Sequence, residues 1–252
     1  MTTQQATFIY ALRLGDNALV LGHRLSELCS RGPILEEDLA LTNISLDLIG
    51  RAQAFLKYAG QVEGHGRTED DLAYRRPEHE IHNYLLLEQP NGDFAYTIAR
   101  QFYISVFENL FFSELQKSKD ETLAAIAVKS LKEIKYHQQH ATDWVLRLGD
   151  GTQESHVRIQ NALNDLWMYT GELFEMDHLD TYLLHQHIAV DTVALKNAWS
   201  NEVSSVLTEA TLSLPEDTYM QTGSKKGIHT ENLGHILSEM QYLQRAYPDA
   251  KW

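Results

Sequence analysis

Residues 131–152 read LKEIKYHQQHATDWVLRLGDGT. Leu131, Ile134, Ala141, Val145 and Leu148 fall on one arc when each residue advances the roughly 100° of an α-helix. Glu133, His137 and Trp144 lie on a shoulder of that arc, while Lys132, Lys135, Gln139 and Asp143 fall on the opposite side. Four-helix bundles that bind two metal ions draw half of their ligands from a Glu-x-x-His pair on each of two helices. Here Glu133 is present, Tyr136 holds the i+3 position, and a histidine arrives one residue later, at His137. The segment is a helix carrying a near miss of a metal half-site. Its periodicity predicts His137 turned inward and Tyr136 turned further out.

Three more long helical runs flank this one. The first covers about residues 6–30 and is ended by Gly32-Pro33. The second starts near Glu36 and is expected to stop at Gly60. The third covers about residues 93–117 and is rich in aromatics, and the fourth runs from near Asp120 to the Gly149-Asp150-Gly151 break. Residues 61–92 mix Gly, Pro and charge, and read as a long connection with short helical turns. Further helices are expected over about 153–173 and 191–212, followed by a glycine loop, a cap at Thr230 and a last helix to about Tyr247. Two helix pairs joined by one long connection predict an all-α, ferritin-like four-helix bundle with additional C-terminal helices. The reading is one domain over residues 1–252, with the core bundle at about 6–150 and the C-terminal helices at about 152–250. No Ser/Gly/Pro-rich linker divides it, and no fixed self-similarity marks a helical repeat array.

Composition narrows the function. Only 14 Gly and 5 Pro in 252 residues leave long uninterrupted stretches, and 43% hydrophobic residues suffice for a substantial core. A formal charge of −14 repels nucleic-acid phosphates, so no nucleic-acid partner is expected. One cysteine, Cys29, excludes an internal disulfide framework and a thiolate-rich metal site. The N-terminus lacks a basic flank with an apolar core, and no run of about 18 apolar residues occurs, so a cytoplasmic location away from membranes is expected. Nucleophile triads, phosphate loops and dinucleotide fingerprints are not recognisable.

Each long helix offers one acid near its apolar stripe: Asp16 in the first, Asp47 in the second, Glu108 in the third and Glu133 in the fourth. His137 is the one histidine placed with them, and Arg51 interrupts the stripe of Ile44, Leu48 and Phe55 one turn after Asp47. A guanidinium does not lose its proton and cannot ligate metal, yet it neutralises carboxylates as a cation would. These six residues therefore read as a degenerate di-iron position kept as a structural charge cluster. The alternative is that acids at stripe margins simply reach solvent or meet a nearby arginine. His82, His178 and His229 have no ligand spacing around them.

Three stretches together carry a family resemblance: NISLDLIGRAQAFLKYAG (43–60), LKEIKYHQQHATDWVLRLGDGT (131–152) and KKGIHTENLGHILSEMQYLQRAYPDAKW (225–252). Over its whole length the chain resembles the C-subunit family of bacterial 1,2-phenylacetyl-CoA epoxidases, the multicomponent ring-activating monooxygenases of aerobic phenylacetate degradation. The resemblance implies a ferritin-like fold and a partner A subunit that holds the di-iron centre and binds the CoA thioester. It also implies a small B subunit, and a reductase with FAD and an iron–sulfur cluster that passes on electrons from NADPH. An iron-binding D-E-x-x-H pattern would need Glu at Leu48 and His at Arg51, and the second motif would need His at Tyr136. These departures imply a chain with no catalytic, cofactor-binding or metal residue of its own.

The leading expectation is a non-catalytic structural subunit that packs against the homologous A subunit, with a homodimer as its form when alone. Two rivals stand beside it. One is a free-standing di-iron enzyme using Asp16, Asp47, Glu108, Glu133 and His137. The other is a CoA-binding subunit using Lys225 and Lys226, for which a solvated loop is the plainer reading. The aromatics of the third run exceed what one narrow stripe can bury, and would serve either a subunit interface or packing beneath the C-terminal helices.

Overall fold

Side chains that reach back to orphan amide groups set most of the helix starts. Thr2, Thr68, Thr152 and Asp177 form capping boxes, and Asp93, Asp120 and Asp191 accept from amides of the first turn. The computed structural model describes residues 1–216, 218–248 and 250. In chain order its helices are α1 (Thr3–Ser26), α2 (Leu35–Glu63), α3 (Glu69–Tyr74), α4 (Leu85–Glu88), α5 (Phe94–Leu115), α6 (Glu121–Gly149), α7 (Gln153–Trp167), α8 (His178–His185), α9 (Thr192–Glu209), α10 (Glu231–Met240) and α11 (Tyr242–Ala246). Short 3₁₀ turns lie at Glu78–Glu80, Gly171–Phe174 and Ser224–Lys226, and no strand occurs among the described residues. The fold is all-α, as a ferritin-like chain requires.

Two compact units share the chain. One contains residues 1–90 and the described residues from 223 onward; the other contains residues 91–222. In the first, α1 and α2 pack along their lengths in antiparallel register. Gln4 reaches the Val62 carbonyl at 2.7 Å near one end, and Ser45 reaches the Gly22 carbonyl at 2.8 Å near the other. Leu41, Ile44, Leu48, Phe55 and Leu56 of α2 are buried in this face. At about 1.5–3 kcal/mol for each large apolar side chain, such a seam supplies most of the helix stability that propensity alone does not.

In the second unit α5 and α6 form the corresponding antiparallel pair, with Phe94 edge-on to Trp144 at 4.8 Å between centroids. The aromatic surplus of α5 is spent under the later helices. Tyr103 lies against Trp167 and Trp199, donates its hydroxyl to the Leu163 carbonyl at 3.2 Å, and accepts at its own carbonyl from the Trp199 indole at 3.0 Å. Phe107 meets Phe174 from the 3₁₀ turn. Phe102, Tyr103, Phe107, Phe111 and Phe112 are all buried, Tyr103 and Phe107 against the later elements.

Several boundaries differ from the sequence reading. Helix α1 begins earlier, at the Thr2 capping box, and ends at Ser26. Helix α2 runs through Gly60 and ends at Gly64, whose left-handed φ of +75° suits glycine. Gly60 instead gives the Arg67 carbonyl room to approach the helix. Helix α7 stops at Trp167 rather than near 173, and α8, only eight residues long, is too short for its periodicity to stand out. The expected final helix is two pieces, α10 and α11. Of the 225–252 stretch, positions 249, 251 and 252 lie outside the described residues.

Candidate functional site

Helix periodicity places the residues of interest, and burial tests the placement. On α2, Leu48 and Arg51 are both inward, with 1% and 3% of their surface exposed, while Asp47 is half-buried. On α6, His137 is buried at 2% and Tyr136 is 51% exposed, matching their angular positions; Glu133 is half-buried. Glu108 of α5 is buried. Asp16, Asp47 and Arg51 belong to the first unit, and Glu108, Glu133 and His137 to the second.

Asp16 has no exposed surface, and its carboxylate is fully engaged. Arg76 forks onto both carboxylate oxygens, one contact at 3.0 Å, and the His82 amide donates to Oδ2 at 2.9 Å. The guanidinium is itself held by the carbonyls of Leu72 and Glu80. A bidentate arginine–carboxylate pair with its remaining donors satisfied is the arrangement that makes a buried charge tolerable. Arg76 lies in the connection after α3, where helix-stripe reasoning does not look.

A second buried pair also escapes sequence reasoning. The His229 ring sits 2.9 Å from the Glu88 carboxylate through Nδ1 and 2.7 Å from the Ile81 carbonyl through Nε2, and neither side chain of the pair has any exposed surface. Glu88 further accepts from the Thr230 amide at 2.6 Å and from the Asn83 side chain at 3.0 Å. Burial alone would lower the His229 pKa, but the Glu88 hydrogen bond and charge, helped by the Ile81 carbonyl, raise it above its ordinary value. His23 and His82 go the other way, lowered chiefly by burial. The only sequence signal for this pair is the IHTENLGH run, part of one of the stretches that carried the resemblance, and it has no ligand spacing.

The donor set does not fit a di-iron centre. Leu48 and Arg51 offer no lone pair at the inward positions of α2, Asp16 is engaged by Arg76 and the His82 amide, and Tyr136 faces outward. Among the described residues, no three His, Cys, Asp or Glu side chains stand together so as to hold a metal ion.

Comparison with known proteins shows the family. A sequence model of a family described as "Phenylacetic acid catabolic protein" matches residues 1–252. The chain belongs to this phenylacetic acid catabolic protein family. It is 50% identical over 243 residues to the C subunit of 1,2-phenylacetyl-CoA epoxidase from Escherichia coli (strain K12), covering 96% of this chain and 98% of that protein. On α2 of this family member, Leu48 and Arg51 both lie on the buried face. No helix among the described residues is long and apolar enough to cross a membrane.

Proposed function

We propose that this chain is a structural, non-catalytic subunit of a multicomponent phenylacetyl-CoA ring 1,2-epoxidase, acting in the cytoplasm in aerobic phenylacetate degradation. It packs against a homologous subunit that carries the di-iron centre. A small bridging subunit and a reductase with FAD and an iron–sulfur cluster complete the assembly. In this reading residues 1–252 act as one ferritin-like domain, and Asp16, Asp47, Arg51, Glu108, Glu133 and His137 descend from ligand positions now used for structure. The observation that carries it is the burial of Leu48 and Arg51 where inward ligands would be needed, in a chain half identical to an epoxidase component.

Helix α2 also supports the packing role. Leu35, Leu39 and Leu46 recur at helical spacing on its outer side and are 70%, 54% and 63% exposed. A row of leucines left in water suits a partner helix better than solvent. The decisive experiment is co-expression with the di-iron subunit, followed by purification and epoxidation assay with and without this chain. We expect one complex, with activity dependent on this chain. Leu39→Glu/Leu46→Glu is expected to abolish co-purification without changing thermal unfolding of the isolated chain. About two irons bound per isolated chain, as a complete bundle site would hold, and lost in Glu133→Ala, would sink the proposal.

A further inference from the structure

The segment after residue 222 returns to the first unit and crosses the connection between α3 and α4. Two anchors bound it. At its start, His82 contacts the Ser224 carbonyl at 3.2 Å through Nδ1, and Gly227, with φ +70°, lies so close to the His79 carbonyl that a Cβ would collide with it. At its end, the buried Gln241 side chain donates to the carbonyls of Ala73 and Arg76 at 3.2 and 3.0 Å. Between these anchors, residues 228–240 are held by His229, by the Thr230 amide on Glu88, and by Arg24 on the Asn232 carbonyl at 3.3 Å.

The chemistry at His229 is constrained by counting protons. Both ring nitrogens face acceptors, a carboxylate and a peptide carbonyl, and a neutral imidazole has only one N–H. Glu88 is met by two further donors, the Thr230 amide and the Asn83 amide group, which favours the ionised carboxylate. Arg24 of α1 adds positive charge beside it, donating to the Glu88 carbonyl at 3.1 and 2.8 Å while pairing with Glu27. From the 3₁₀ turn, Glu78 lies over Gly234 of α10 and favours the imidazolium. On the segment itself Glu231, His235 and Glu239 belong to α10. His82, near the first anchor, is biased toward its neutral form and works with the opposite sign.

We infer that residues 228–240 form a protonation-dependent strap, closed by a doubly protonated His229 bridging the Glu88 carboxylate and the Ile81 carbonyl. Deprotonation removes one of the two hydrogen bonds and leaves Glu88 as a buried anion without its cation. The pKa of His229 is raised in the closed form, so the stabilisation is complete below the ordinary value. It is lost as pH rises through the raised value. Opening should increase about tenfold per pH unit from about 6.5 to the raised value, then level off.

Two measurements test this on the full chain. Long-range ¹H–¹⁵N correlation spectra of histidine-labelled protein, with His229→Gln for assignment, are expected to show both His229 ring nitrogens protonated at pH 6.5. Hydrogen exchange of the Thr230 and α10 amides, corrected for intrinsic rates, is expected to lose protection between pH 6.5 and 9 in the wild type. In His229→Gln the protection should be pH-independent. One unprotonated ring nitrogen at pH 6.5, or corrected protection unchanged to pH 9 in the wild type, would overturn the proposal. The spectra of the unmodified protein decide even if the variant does not fold.

Discussion

Two buried ion pairs in the first unit solve one problem in different ways. Asp16 is matched by Arg76, a cation that keeps its proton at any ordinary pH, within a bidentate fork and a cage of carbonyls. Glu88 is matched by His229, whose charge is conditional. The first pair ties α1 to the connection after α3 permanently, and the second adds its charged tie between the late segment and α4 only while the ring is protonated. Burial is equal at the two acids, so the difference lies in the partner and not in the environment.

The largest effect expected is from Arg76→Met, which strands Asp16 and should cost about 3–5 kcal/mol in urea unfolding. Asp16→Asn combined with Arg76→Met should recover most of that loss, because the double variant buries no lone charge. Equal losses in single and double variants would mean the pair is not coupled. Arg51→Leu asks whether the arginine on α2 is of the same permanent kind. A loss of about 3 kcal/mol is expected if it balances interior acids, and a near-neutral melting temperature would show that it does not.

Glu88→Gln attacks the conditional pair and should cost about 1.5–3 kcal/mol at pH 6.5, the range for a charged hydrogen bond. The cost should shrink as the pH passes the raised His229 value, where the wild type has lost the same interaction. A cost independent of pH would erase the distinction between the two pairs. The smallest effect is on the acid side. His23 and His82 are buried with lowered pKa values, so they must take up protons on unfolding below about pH 6.5, and stability should decline there. Thermal melts across pH 5–9 should therefore peak near the ordinary histidine value, with the alkaline decline missing in Glu88→Gln.

What could be read from the sequence was local. The long helices, the Asp93, Asp120 and Asp191 starts, and the inward turn of His137 beside an outward Tyr136 follow from periodicity and capping, which act within a turn or two. The Asp16–Arg76 and Glu88–His229 pairs span 60 and 141 residues and join helices to irregular connections, where no period indicates which residues meet. The same limit hid the use of Tyr103 and Phe107, whose partners arrive from α7, α9 and a 3₁₀ turn much later in the chain. At the candidate site, what periodicity supplied was the inward placement of Leu48 and Arg51, which burial matches.

The anchors around the strap decide what kind of motion its protonation can control. Neither the tight seat of Gly227 on the His79 carbonyl nor the Gln241 amide contacts gain or lose a proton. With both ends fixed, losing the imidazolium charge would not free a tail. It would raise a blister of backbone between two rivets, lifting α10 while the chain on either side stays in place.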